Sequence, residues 1–469
     1  MYHRMIIPVI ALIISLAMPG CGGREDQVTD PREKEVDKKV REMYGKSLAE
    51  LPTVRLVAIS PHNTDIEKEY EAAFSLYHAV KYGQKVDMEW RDVGGGSSAI
   101  LKHLQNVYEN SDRSGIDIVW GGGDYNFQVM VREGILQEME MGPDLLENIP
   151  SSLGGIRMYS PESRWCGSAV SGFGFLYNKS LLERLKLKPP EQWEDLGDQR
   201  FYDIIGLADP MQSGSAAASY EMIVQSGGDW ATGWAKLLGI LGNTKKFYAG
   251  SGDAAEALPS GEVAIATCID FYGIVRVAKY PETLKYISPK GQTSFNPDPI
   301  GILKNPPSPL LAQRFVDFVL SRKGQALWAL PVGHPDGPVW AILGRQPIRK
   351  DVYEQYSGEL LPQIVNPYAG GQSMKLDFDL WSLSYGILRQ MVWTAAVENL
   401  DGLRAAKKRL IETGFEANRL SEFNRLPDNL ATRQKVAETV RLLGDKKQLD
   451  IILTDWITFF REKYKRVAE

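Results

Sequence analysis

The segment IDIVWGGG, residues 116–123, is a short apolar run that stops on three glycines. Its length suits a strand, and its end suits a turn whose backbone N–H groups face outward. Two earlier segments share the form. TVRLVAIS (53–60) runs into Pro61, His62 and Asn63, and VDMEWRDV (86–93) runs into GGGSS (94–98). Between these two, PHNTDIEKEYEAAFSLYHAVKYG (61–83) carries Tyr70, Phe74 and Tyr77 on one helical face and stops at Gly83. The helix AILKHLQNVYEN follows the second strand. Strands alternating with helices predict a parallel sheet covered on both faces. Ligands of such sheets lie beyond the carboxyl ends of the strands. The candidate groups in this half are therefore Ser60, His62, Gly95, Gly96, Ser97 and Gly122.

A second unit begins near Pro150. IIGLADPMQSGSAAASYEMIVQSGG (204–228) reads as strand, polar loop and helix, with Ser213, Gly214 and Ser215 at the helix start. One serine suits a helix cap, which leaves the other hydroxyl and nearby N–H groups for an anion. Gly250, Ser251 and Gly252 open another helix in the same manner. GEVAIATCIDFYG (261–273) then runs apolar from Val263 to Ile269 and ends on Asp270, Phe271 and Tyr272. An acid and a phenol at the end of a buried strand suit a metal, an organic ligand or plain packing. LLAQRFVDFVLSRKGQALWAL (310–330) is a strongly amphipathic helix, and from about Arg345 onward the pattern is mainly helical.

The chain of 469 residues is long enough for two domains with sizeable cores. A net charge of −5 gives no electrostatic case for nucleic acid. The first twenty residues have the form of a secretory signal: MYHR, then a mostly apolar run from Met5 to Met18, then Pro19-Gly20-Cys21. The run is short for a bilayer span. Cys166 and Cys268 are the other cysteines, and neither has metal-ligand spacing with a histidine.

Cys21 followed by Gly22-Gly23 resembles the lipobox of bacterial lipoproteins, although Met18 and Pro19 depart from its usual pattern. That resemblance implies a lipid on Cys21 and a solvated tether after it; a simple cleaved signal is the alternative. A second resemblance rests on IDIVWGGGDYNFQVMVREGIL (116–136), GFGFLYNKSLLERL (172–185), ADPMQSGS (208–215), SGEVAIATCIDFYG (260–273), NPDPIGILKNPPSP (296–309) and AQRFVDFVLSRKGQALW (312–328). In this order they resemble the type II periplasmic solute-binding proteins of ABC importers, in the group of ferric-iron-binding proteins and their organic-anion-binding relatives.

The resemblance implies an α/β chain of two lobes, each a mostly parallel sheet covered by helices, with ligand between them. The corresponding division is 1–20 signal, 21–50 tether and first helix, 51–164 with 290–345 lobe one, 165–289 lobe two, and 346–469 a C-terminal helical region. Crossings are expected near Trp165–Ser171 and Lys285–Ser294. It further implies a membrane-anchored extracytoplasmic lipoprotein that captures a small molecule and partners an inner-membrane ABC permease, with no cofactor and no catalysis.

Ferric members end the strand matching 263–269 on two adjacent tyrosines. Here Phe271 takes the first place and Tyr272 the second, so one phenolate is missing. Phe271 is then an apolar wall, Tyr272 a hydrogen-bond donor and Asp270 a partner for a ligand amine or hydroxyl. With Ser213, Gly214, Ser215 and Ser251 these suit an anionic or zwitterionic solute of the organophosphate or phosphonate class, held without a strong positive charge. Ferric iron on Tyr272 with Asp270, with His62 as a further donor, is the first alternative. An enzyme using Cys166 or Cys268 is the second. The C-terminal helices read either as a cap on the lobes or as a docking surface for a partner.

Overall fold

The computed structural model describes residues 30–469, with backbone alone at 378–379 and 382–385. Among these residues the strands are β1 (Thr53–Ile59), β2 (Lys85–Trp90), β3 (Ile118–Trp120), β4 (Ser152–Leu153), β5 (Ile156–Arg157), β6 (Cys166–Ser171), β7 (Phe173–Asn178), β8 (Ile205–Ala208), β9 (Thr244–Tyr248), β10 (Ile265–Ile269), β11 (Leu284–Ile287) and β12 (Asn296–Ile302). They form two five-stranded sheets and a small β4–β5 pair. The first sheet has the order β2-β1-β3-β12-β6, and β12 runs antiparallel to both neighbours. The second has the order β11-β7-β10-β8-β9, and β7 runs antiparallel to both neighbours. The remaining pairings within these two sheets are parallel, and β4 and β5 pair antiparallel. This is the mostly parallel α/β arrangement that alternating strands and helices dictate.

A single residue, Gly172, separates β6 in the first sheet from β7 in the second. The change of sheet thus falls one strand after the 164/165 division drawn from sequence. The chain returns to the first sheet between β11 and β12. A side chain at Gly172 would meet the Phe295 ring at 2.8 Å, so this crossing needs a residue without a Cβ.

The core of the first lobe is aromatic. Tyr70, Trp120 and Trp328 are buried with ring centroids 4.7–5.8 Å apart. Trp120 meets its polar requirement by donating Nε1–H to Ser168 Oγ at 2.7 Å, and Ser168 donates on to the Asp298 carbonyl. Glu69, wholly buried on the helix Thr64–Tyr82, accepts backbone N–H groups from Val339 at 2.8 Å, from Trp340, and from Ala341 at 2.8 Å. It thereby ties an irregular segment to the lobe.

From residue 345 to 377 the chain is largely irregular, with one short helix, Lys350–Gln355, instead of the helices read from sequence. Pro347, Pro362, Pro367, Gly370 and Gly371 interrupt helical hydrogen bonding there. Helices dominate only from Phe378. The region after it packs on the second lobe. Trp230 Nε1 donates to the Leu430 carbonyl at 2.8 Å, Lys407 Nζ to the Gly197 carbonyl at 2.9 Å, and Arg389 Nε to the Pro210 carbonyl at 2.7 Å. The last helix, Lys446–Ala468, buries Trp456, Phe460 and Tyr464, and Tyr464 donates to the Ala395 carbonyl at 2.8 Å. Of the two readings of this region, the cap on a lobe describes its packing.

Glu69→Ala strands three amide groups inside the protein. It should lower unfolding free energy by about 2–4 kcal/mol, read as a lower urea midpoint.

Candidate ligand-binding site

The turns that follow β1, β2 and β3 meet at one place. The His62 imidazole lies against Gly121, where a Cβ would come within 2.8 Å of Nε2. Gly122 lies against Ser97, where a Cβ would come within 2.8 Å of the serine Cβ. Both glycines have positive φ, so close approach and backbone conformation each demand glycine. Ser60 Oγ accepts the His62 N–H at 3.0 Å and sets the turn. Gly95 and Gly96 stand further out on an exposed rim ahead of the helix Ser97–Asn110.

Asp298, on β12, gathers these turns. Its Oδ1 accepts the Gly122 N–H at 3.1 Å; its Oδ2 lies 2.7 Å from His62 Nε2 and 2.6 Å from Arg345 Nη1. Burial alone would push the Asp298 carboxyl up, but Arg345, His62 and the Gly122 N–H outweigh it and hold it well below the usual carboxylate range. Burial lowers the His62 imidazole, reinforced by Arg345 and opposed by Asp298. A neutral ring that donates Nε2–H to Asp298 follows. His62 Nδ1 and Arg345 Nε are buried and have no hydrogen-bond partner among the described residues.

The second lobe presents hydroxyls. Ser213 Oγ accepts the Ala216 N–H at 3.3 Å and caps the helix Gly214–Gln225. It lies 3.1 Å from Ser215 Oγ, which lies 2.7 Å from Ser251 Oγ at the start of the helix Ser251–Glu256. Three serines from two separate segments thus form one chain of hydroxyls beside two helix starts. Tyr272 stands close by. Its ring covers Gly252, where a Cβ would be 3.3 Å away, and 39% of the residue is exposed. The Phe271 ring is 4.4 Å from that of Tyr272.

Arg345 joins the two groups. Its guanidinium lies 4.2 Å from the Phe271 ring centroid and 5.5 Å from that of Trp328 while it pairs with Asp298. Neither Arg345 nor Asp298 was singled out from sequence. Arg345 follows the last first-lobe helix in an irregular stretch with no local pattern, and Asp298 sits between two prolines in NPDP with nothing nearby to mark it as a hub. Arg345 places a guanidinium, ion-paired with Asp298, where the sequence reading expected no strong positive charge.

Asp270 is also corrected. The strand begins at Ile265 rather than Val263 and ends at Ile269, and Asp270 opens the helix Asp270–Lys279. The residue is 1% exposed. Oδ2 accepts the Gly172 N–H at 2.8 Å, Oδ1 accepts the Phe271 N–H at 2.8 Å, and the Asp270 N–H donates to the Gly172 carbonyl at 3.0 Å. The acid is committed to the crossing between sheets, which removes it as a partner for a ligand amine or an iron ion. Burial pushes its pKa up to about 7 against the Gly172 N–H and Arg345.

Cys166 and Cys268 are buried, unpaired with each other, and in different sheets. Burial pushes both thiols well up, the reverse of what a nucleophile requires. Cys21 lies outside the described residues.

A carboxyl whose pKa is raised by folding favours the fold while protonated. The Asp270 contribution is present below its unfolded pKa and is lost as pH rises through about 7. Asp270→Asn should therefore lose less thermal stability than the parent between about pH 5 and about pH 8, measured as the difference in Tm at the two values. An equal loss in both proteins would remove Asp270 as the titrating group.

Residues 116–336 match the family model of a bacterial extracellular solute-binding protein. The phosphoglycerate transport regulatory protein PgtC of Salmonella typhimurium is 30% identical over 185 residues, 39% of this chain and 46% of that protein. The match thus spans less than half the length of that curated relative. Among solved structures, the periplasmic binding protein AfuA from Actinobacillus pleuropneumoniae, with exogenous fructose-6-phosphate bound, aligns with a TM-score of 0.54 at 18% identity, over 73% of this chain and 98% of that one. Iron-bound HitA from Pseudomonas aeruginosa aligns with a TM-score of 0.51 at 19% identity, over 72% and 99%. With two mostly parallel sheets joined at Gly172 and strand-end turns gathered on Asp298, the chain has the two-lobed fold of these periplasmic binding proteins, and its residues 116–336 are similar to the bacterial extracellular solute-binding proteins.

Proposed function

We propose that the protein is the solute receptor of an ABC importer, a lipoprotein anchored through Cys21 outside the cytoplasm, and that its solute is an organophosphate or phosphonate. The observation that carries the ligand class is the hydroxyl chain Ser213–Ser215–Ser251 at two helix starts, with Arg345 reached through Tyr272 and Phe271. Tetrahedral oxyanions accept several hydrogen bonds at once, and serine hydroxyls beside helix N-termini supply them. The Arg345 guanidinium supplies the positive charge, tempered by Asp298. The names of PgtC and AfuA point to the same chemistry. Tyr272 would donate its phenol to the ligand, Phe271 would form an apolar wall, and the turns at Ser60, His62, Ser97 and Gly122 would face it from the first lobe.

Binding requires no bond to be made or broken. A solute that touches both lobes favours the form in which they are close, and the population shifts toward that form. A permease then distinguishes loaded from empty receptor by shape. Ferric iron is the weaker reading, because Tyr272 lacks a second phenolate beside it and Asp270 is held by backbone N–H groups.

Titration calorimetry on the mature protein, with 3-phosphoglycerate, hexose phosphates, aminophosphonates, inorganic phosphate, polyamines and Fe(III), tests the proposal. A phosphate or phosphonate ester should bind, and the double variant Ser213→Ala with Ser251→Ala should weaken it by about tenfold or more. Heat from Fe(III) alone, with no response to any organic anion, would refute the ligand class.

A further inference from the structure

On the outer side of the first lobe, away from every residue of the interlobe site, lies a cavity of about 470 Å³. The helix Glu33–Tyr44 forms one wall with Val36 and Met43, and the helix Thr64–Tyr82 forms the other with Leu76 and Val80. Phe318 and Leu327 close the back. The first helix is otherwise strongly charged, and Met43 is 59% exposed. Val40 on the same helix is wholly buried in a small core with Leu51 and Ala79, which fixes the wall in place.

Four cations stand around this apolar space: Arg32, Lys39, Lys81 and Lys323. Arg32 is held by Asp30 at 2.6 Å and Lys39 by Glu35 at 2.5 Å. Lys81 donates to the Tyr77 hydroxyl at 2.8 Å, and neither it nor Lys323 has a carboxylate within ion-pair distance among the described residues. Asp336 is the one acid on the lining.

We infer that this cavity binds an amphiphile with an acyl chain and an acidic head. The size falls in the range of small-molecule sites. A small inorganic anion would leave the apolar walls wet, and an uncharged hydrocarbon would leave Lys81, stacked on Tyr77 and Tyr82, and Lys323 without a direct ion-pair partner. A chain along Val36, Leu76 and Phe318, with its carboxylate or phosphate toward Lys81 and Lys323, meets both demands. The site is independent of the solute between the lobes and shares no residue with it.

Calorimetry of the chain from residue 22 with dodecanoate, dodecanol and dodecyltrimethylammonium reads the claim directly. Dodecanoate should bind most tightly. The double variant Lys81→Glu with Lys323→Glu should weaken it by about fivefold or more at unchanged Tm, and Met43→Asp should weaken all three amphiphiles. Flotation of the chain from residue 22, which lacks the apolar leader and the lipid proposed for Cys21, with phosphatidylglycerol vesicles separates the sources: flotation that the double variant abolishes assigns the acyl anion to a membrane, and dodecanoate binding without flotation assigns it to a free acid. No binding of dodecanoate, binding of dodecanol equal to it, or indifference to the charge reversal would each overturn the inference.

Discussion

One carboxylate organises the space between the sheets. Asp298 sits on the reversed strand of the first sheet and receives a backbone N–H, an imidazole and a guanidinium. Each partner comes from a different part of the chain: the turn after β3, the turn after β1, and the irregular stretch beyond the last first-lobe helix. A buried anion is costly unless its lone pairs are filled, and here both oxygens are engaged. Filling them draws His62 onto Gly121 and positions Arg345 against Phe271. Remove the carboxylate, and the turns lose their common point while a buried guanidinium loses its counter-charge.

The site therefore has an electrostatic centre in the first lobe and a hydroxyl surface in the second. The two contribute differently to recognition. The serines and helix starts offer directional hydrogen bonds with no net charge. Arg345 offers charge already shared with Asp298. Under the proposed function, a solute would compete with Asp298 for that guanidinium and offer oxygens to three hydroxyls, a combination a phosphoryl group would meet better than a lone carboxylate.

Much of the frame was legible in the sequence because it is local. Short runs ending in polar or glycine-rich turns gave β1, β2 and β3, and the meeting of Gly121 and Gly122 with His62 and Ser97 follows from parallel strands that stop at one level. Ser213, Ser215 and Ser251 were legible for the same reason, as helix starts. What escaped was long-range. The pairing of Asp298 with Arg345 spans two segments whose surroundings carry no periodic signal. The misreading of Asp270 has the same origin: an acid at a strand end suggests a ligand, and nothing local says that Gly172, nearly a hundred residues earlier, supplies the N–H that claims it. The C-terminal reading erred where proline and glycine in 345–377 defeat a pattern that composition alone would accept.

Gly172 has a mechanical consequence. It is the whole of one link between the sheets, its N–H and carbonyl are both fastened to Asp270, and Phe295 fills the place of its missing side chain. A link one residue long has no slack for sliding. The longer strap between β11 and β12 and the stretch 345–377 are the other links, so the halves could turn about Gly172 but not slide past one another there.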